Sequence, residues 1–261
     1  MRQCRNTVLL WVLVGFVWVP GAAAMTAGSG RLVSVHPALS GFSRIWLSHA
    51  CQARIRPGDR FDVEVRIDDN LVDFLVVEQN GEVLSIGLEN GGRFVDYDLE
   101  VDITLPLLYE LRMSGASAAE LSEGFSAPSF DCKLSGASRL EGKLHTHAFS
   151  CKLSGASRLR GFLRTDVASF RLSGASRAEV DGRCGQLAVK ASGASQAWLG
   201  GVSADAADVK MSGASKGGIR VDGRLDAGLS GASQLAVAGR AEMGRLSISG
   251  GSRLETFTSN E

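Results

Sequence analysis

Glu120 and Glu141 each stand three residues after a Ser-Gly-Ala-Ser tetrapeptide. If the tetrapeptides mark equivalent points on successive coils, the two backbones lie about 4.8 Å apart, which brings the carboxylates near the separation used by retaining glycosidases. Polysaccharide cleavage is the chemistry such a pair would permit. Arg139, two residues before Glu141 on the same outward face, offers a plainer use for that carboxylate, a solvated ion pair. A second set is basic: Arg112, Lys133, Lys152, Arg171, Lys190 and Lys210 each precede a tetrapeptide by two residues. Stacked about every 4.8 Å, closer than the Debye length of about 8 Å, these cations would suit an anionic polymer whose charges recur along its length. The plainer account is a solvated face balanced by nearby acids.

Other constellations are weaker. His145 and His147 have i, i+2 spacing, and His147 shares its offset with Asp166, so a two-histidine metal site is conceivable beside the simpler reading of solvated histidines. Asp96, Asp98 and Glu100 suggest a surface cation, but an EF-hand loop needs glycine where Val101 stands. Gly213-Ala214-Ser215-Lys216-Gly217 satisfies the hydrolase G-x-S-x-G pattern, yet no histidine follows His147 to complete a triad. Four cysteines follow the N-terminal apolar run, Cys51, Cys132, Cys151 and Cys184, without a C-x-x-C spacing for zinc or redox chemistry. Cys132 and Cys151 share an inward offset one coil apart, so they could either be bridged or stand as a reduced, buried stack. In-register parallel side chains make the bridge torsion difficult, which favours the stack. No metal site and no cofactor are expected.

The elements that must position these residues come from a repeat. Ser-Gly-Ala-Ser begins at Ser114, Ser135, Ser154, Ser173, Ser192, Ser212 and Ser230 and returns as Ser-Gly-Gly-Ser at Ser249, at intervals of 21, 19, 19, 19, 20, 18 and 19 residues. About 19 residues is too short for a helical pair and fits one coil of a parallel β-solenoid. Before each tetrapeptide, apolar positions alternate with the basic one. After it, Arg139, Arg158 and Arg177 face out, Leu140, Leu159 and Ala178 face in, and Glu141, Arg160, Glu179 and Trp198 face out. Two strands therefore flank the tetrapeptide corner, where glycine supplies positive φ, alanine is expected to pack inside, and serine hydroxyls bond to backbone or to the next coil. Residues 40–113 lack the tetrapeptide but keep the alternation, and read as degenerate opening coils with turns at Asn80-Gly81 and Asn90-Gly91.

The order Asn80-Gly81-Glu82-Val83-Leu84-Ser85-Ile86, Leu99-Glu100-Val101-Asp102-Ile103-Thr104-Leu105-Pro106 and Leu111-Arg112-Met113-Ser114-Gly115-Ala116-Ser117 resembles the auto-transporter adhesin head (GIN) domain family, over about residues 40–256. The resemblance implies a right-handed, single-stranded parallel β-helix in exported bacterial proteins. It carries over no catalytic residues.

Arg2 and Arg5 before the apolar run Val8 to Val19 and the small residues Gly21 to Ala24 read as a signal peptide over 1–24, too short in its apolar part to span a bilayer. A linker is expected over 25–39, the all-β helix over 40–256 and a tail over 257–261, with no transmembrane segment once the signal is removed. With 28 basic and 28 acidic residues there is no global drive toward nucleic acid. The charge is uneven: 14 acids against 7 bases over 40–113 (net −7), and 14 against 18 over 114–261 (net +4). The function expected is that of an exported, non-enzymatic envelope protein, periplasmic, surface-bound or secreted. It would present a long flat face, without a pocket, to an anionic envelope polymer or a surface protein. A polysaccharide-cleaving enzyme and a self-associating structural protein are the alternatives, and the oligomeric state is left open.

Overall fold

The computed structural model describes residues 25–257; the expected signal peptide lies outside them. The fold is a β-solenoid of about 8 turns with roughly 19 residues per turn, 68% of it strand. The chain opens with β1 (Met25–Ala27) and β2 (Leu32–Val35). A first coil is formed by β3 (Arg44–Leu47) and β4 (Gln52–Pro57). After β5 (Asp62–Asp68), a 3-10 helix over Asp69–Phe74 leads to β6 (Leu75–Asn80) and β7 (Val83–Leu88). β8 (Arg93–Val95), β9 (Leu99–Leu105) and β10 (Glu110–Met113) complete the opening region. The repeat follows as β11 (Ala118–Leu134), β12 (Arg139–Leu153), β13 (Arg158–Leu172), β14 (Arg177–Ala191), β15 (Gln196–Met211) and β16 (Lys216–Leu229). β17 (Gln234–Ala238) and β18 (Glu242–Ile248) form the last full coil, and β19 (Arg253–Phe257) begins a further one over β17.

From β10 to β16 each strand pairs in parallel with its sequence neighbour one coil on. Even the tetrapeptide corners are laddered, with Ala156 N–H donating to the Gly136 carbonyl at 2.7 Å and Arg158 N–H to Ser138 at 2.8 Å. The corner glycines hold φ between 68° and 72°. At Gly155 a Cβ would also sit 2.6 Å from the Gly136 carbonyl oxygen, so the position needs glycine for space as well as for φ. The alanine does not pack inside as its small size suggested: Ala137 and Ala156 are exposed, and the second serine turns in instead. Ser138 and Ser176 are fully buried and donate to the carbonyls of Ser135 and Ser173 at 2.9 Å. A buried hydroxyl needs an acceptor, and the corner's own first carbonyl is within reach.

The opening region is not a run of successive coils. β3 lies between β10 and β7, and β4 between β11 and β9, all in parallel, so the coil made by β7 and β9 sits outside the coil that precedes it in sequence. To reach that position the chain must reverse, and the reversals appear as antiparallel pairs: β5 with β9, β2 with β5, and β6 with β7. These strands cover the edge that an open solenoid end would expose. The segment expected as a linker therefore carries structure, since β2 joins this cover and β1 pairs with β8.

The repeat continues into the opening region in disguise. Leu47 is in register with Met113 and Gln52 with Ala118, which places Ser48-His49-Ala50-Cys51 over Ser114-Gly115-Ala116-Ser117. His49 adopts the corner conformation with φ 58°, an unusual one for a residue other than glycine. Its Nδ1 accepts a hydrogen bond from Leu88 N–H at 3.3 Å and lies 2.8 Å from the Ser48 hydroxyl. Cys51 takes the buried place of the second serine.

Two neighbouring columns of inward residues exchange volume along the stack. One reads Phe130, Phe149, Ala168, Leu187, Ala207, and the other Cys132, Cys151, Phe170, Val189, Val209. Where the first is phenylalanine the second is cysteine, and where the first shrinks to Ala168 the second grows to Phe170. The rings of Phe149 and Phe170 stay in contact, 5.2 Å between centroids, across that exchange. Cys132 and Cys151 are small fillers beside phenylalanine, fully buried, in register and present as thiols.

Candidate functional site

The six predicted cations do form one continuous ladder: Arg112, Lys133, Lys152, Arg171, Lys190 and Lys210 are successive register partners. Below Arg112 the column continues to Trp46, whose ring lies 4.4 Å beneath the guanidinium carbon. Their surface is not flat, and this corrects the expectation of a face without a pocket. A trough of about 630 Å³ runs along Lys152, Arg171, Lys190 and Lys210, with corner serines such as Ser173 and Ser192 on its other side. It meets a second trough of about 1090 Å³ that shares Lys152 and Ser154 and extends past Lys133 and Arg112 to Trp46. The concavity arises because long cationic stems stand beside a corner made of small residues.

The ladder is electrically uneven because of the outward column two residues earlier. That column reads Glu110, Asp131, Ser150, Ser169, Ala188, Asp208, Asp226. At one end Glu110 binds both Arg112 and Lys133, the latter at 3.0 Å. Burial raises the Glu110 carboxyl, but hydrogen bonds from these two cations outweigh it and hold the group below its ordinary value. At the other end Asp208 lies 3.5 Å from Lys210. Over the three coils between Asp131 and Asp208, the column carries two serines and an alanine. Among the described residues no carboxylate comes within 4.0 Å of Lys152, Arg171 or Lys190, and all three are exposed. The neighbouring column was the signal in the sequence that could have found this window.

Glu120 and Glu141 are also direct register partners. They line a separate hollow of about 810 Å³ with Arg54, Arg139, Arg158 and Arg160. The expected ion pair between Arg139 and Glu141 is not formed; the equivalent pair is made two coils further on, where Glu179 binds Arg177 and, at 3.0 Å, Arg160 of the coil between. Glu120 and Glu141 are both exposed, without the difference in surroundings that separates acid from base in paired-carboxylate sites.

The remaining constellations resolve into structural roles. His147 Nδ1 lies 2.9 Å from the Asp166 carboxylate, both exposed, and His145 stands in register with Arg164. Glu100 and Asp102 are bridged by Arg66 at 2.8 and 2.9 Å. Among the described residues no cluster of three or more metal-ligating side chains occurs, and no helix is long and apolar enough to cross a membrane. Ser215 of the G-x-S-x-G match is fully buried and donates to the Ser212 carbonyl at 2.9 Å, so its oxygen faces no substrate. Burial pushes the Cys51 thiol up to about 12 and Cys184 to about 11. Cys151 is raised well above its ordinary value by burial first and then by Cys132. None of these thiols is poised to act as a nucleophile.

A regular parallel solenoid with an outward ladder of cations is a repeat protein in which each coil contacts its neighbours. Residues 41–241 match the family described as "Putative auto-transporter adhesin, head GIN domain", and the chain belongs to that family. Among solved structures it is similar to a "putative lipid binding protein" from Parabacteroides distasonis (19% identity, 90% of this chain and 100% of that one, TM-score 0.84). It is also similar to a "putative adhesin" from Parabacteroides merdae (16% identity, the same coverages, TM-score 0.84). At these identities the likeness is one of fold. No curated protein matches the chain.

Proposed function

We propose that this chain is an exported, non-enzymatic binding module of the cell envelope whose basic trough holds an anionic polymer, an acidic glycan in particular. The observation that carries the reading is the window at Lys152, Arg171 and Lys190. Three exposed cations recur once per coil in a concave track, and the acids that neutralise the same column at both ends are absent there. Like charges at that spacing repel one another, and a ligand whose anions recur with a similar period relieves the repulsion at several points at once. The family's adhesin description supports a role in attachment, and its exported character agrees with the N-terminal signal pattern.

The test replaces Lys152, Arg171 and Lys190 together by Gln and compares retention with the unaltered protein on a dextran sulfate column across a salt gradient. The triple variant is expected to elute at markedly lower salt with an unchanged circular dichroism spectrum. Equal retention would reject the trough as the binding surface.

A further inference from the structure

We infer that the C-terminal end of the solenoid is a docking surface for a second copy of this chain, joined tail to tail. This goes beyond the polymer-binding reading and does not depend on it. The inward positions of the last coil are apolar yet open: Met243, Leu246 and Ile248 are 45%, 50% and 45% exposed. Their register partners one coil below, Leu225, Ala227 and Leu229, are at most 4% exposed. β18 pairs with β16 and β19 with β17 on one side. On the other side, among the described residues, neither has a partner. Among the described residues this end therefore presents the cross-section of the core together with a row of unpaired backbone groups.

The occupant follows from what the opposite end lacks. There the core is closed by β2, β5 and β6, with Leu71 of the 3-10 helix fully buried beneath them. Among the described residues head-to-tail growth finds no complementary open edge, whereas a second C-terminal end offers the same apolar cross-section and the same free edge. A two-fold axis would pair these edges antiparallel. β19 carries Arg253, Leu254 and Glu255 in sequence, with Leu254 in register with the buried Leu235. Antiparallel pairing centred on Leu254 sets Arg253 of each copy opposite Glu255 of the other, so one strand supplies two complementary cross-strand charge pairs. The same two Leu254 side chains meet on the core side.

Sedimentation velocity of the purified protein over a concentration series tests the inference, with a dimer expected. Arg253→Glu and Glu255→Arg each set like charges opposite one another twice and should each weaken the dimer about tenfold. Mixing the two variants restores both complementary pairs, so the mixture should dimerise as tightly as the unaltered protein. Thermal melts by circular dichroism check that each variant is folded. A protein monomeric at every concentration overturns the inference, as does a dimer indifferent to both reversals, or a mixture no tighter than its components. Open-ended growth into filaments overturns the tail-to-tail closure. A monomer that floats with phosphatidylcholine vesicles would assign the open end to lipid instead, and would likewise overturn it.

Discussion

The coil at Arg44–Pro57 and the coils of the repeat follow one backbone path with different residues. In the repeat, glycine makes the corner and a buried serine closes it. In the opening coil His49 takes the glycine conformation and Cys51 takes the serine's place. The repeat's ladder neighbours are consecutive in sequence, while β3 and β4 are flanked by strands that arrive later in the chain. Their cores differ too. The repeat fills its interior from two columns that trade volume coil by coil, whereas the opening region relies on single pieces such as the packed pair Phe42 and Phe61, 5.0 Å between centroids. A repeat can be specified by a rule that neighbours enforce on one another; a terminus has a neighbour on one side only and must be specified by its own residues.

That contrast can be broken most forcefully in the core. Phe149→Ala is expected to cost about 3–5 kcal/mol in denaturant unfolding, the usual range for deleting a buried phenylalanine. If the columns trade volume, adding Cys151→Phe reproduces the neighbouring Ala168 and Phe170 arrangement and should recover more than half of the loss. A double variant no more stable than the single one would show that each coil's packing is unique, as it is in the opening region.

A smaller effect compares corners. Gly155→Ala meets both an unfavourable φ and the Gly136 carbonyl, and should cost about 2–4 kcal/mol. Gly115 lies against the irregular corner, where the nearest atom to an added Cβ is His49 N at 3.4 Å. Gly115→Ala therefore carries the conformational cost alone, about 1–2 kcal/mol. Equal losses in thermal unfolding would mean that φ, not the closeness of stacked glycines, sets the corner.

The smallest effect is at Glu110, beside the junction of the two regions. Its carboxyl is depressed in the folded state, so the stability it contributes is complete above the ordinary carboxylate range and is lost as pH falls through the folded value. Glu110→Gln should be less stable than the unaltered protein at neutral pH, and the gap should close on acidification. A gap that stays constant with pH would show that the carboxylate's charge plays no part in seating Arg112 and Lys133.

The architecture was largely legible because it is periodic. The tetrapeptide spacing, the alternation around it and the cationic position two residues earlier all repeat, and register follows wherever inward residues must stay inward. The ladder Arg112 to Lys210 was therefore readable residue by residue. The flanking column was readable by the same rule, with Ser150, Ser169 and Ala188 where acids stand elsewhere, and it locates the uncompensated window. Ser48-His49-Ala50-Cys51 was not recognisable as a corner, because its kinship with the tetrapeptide lies in backbone conformation and not in residue type.

By itself the sequence determined the solenoid, its coil length, its inward and outward faces and the line of cations, since all of these are local consequences of period-two alternation and a repeated turn. Tertiary structure alone decided the order of the opening coils, the closure of one end against the openness of the other, and the trough beside the ladder. These depend on which distant strands share an edge and on how long stems stand over a corner of small residues. Such juxtapositions are set by hydrogen-bonded pairing across tens of residues, and no local pattern in the chain encodes them.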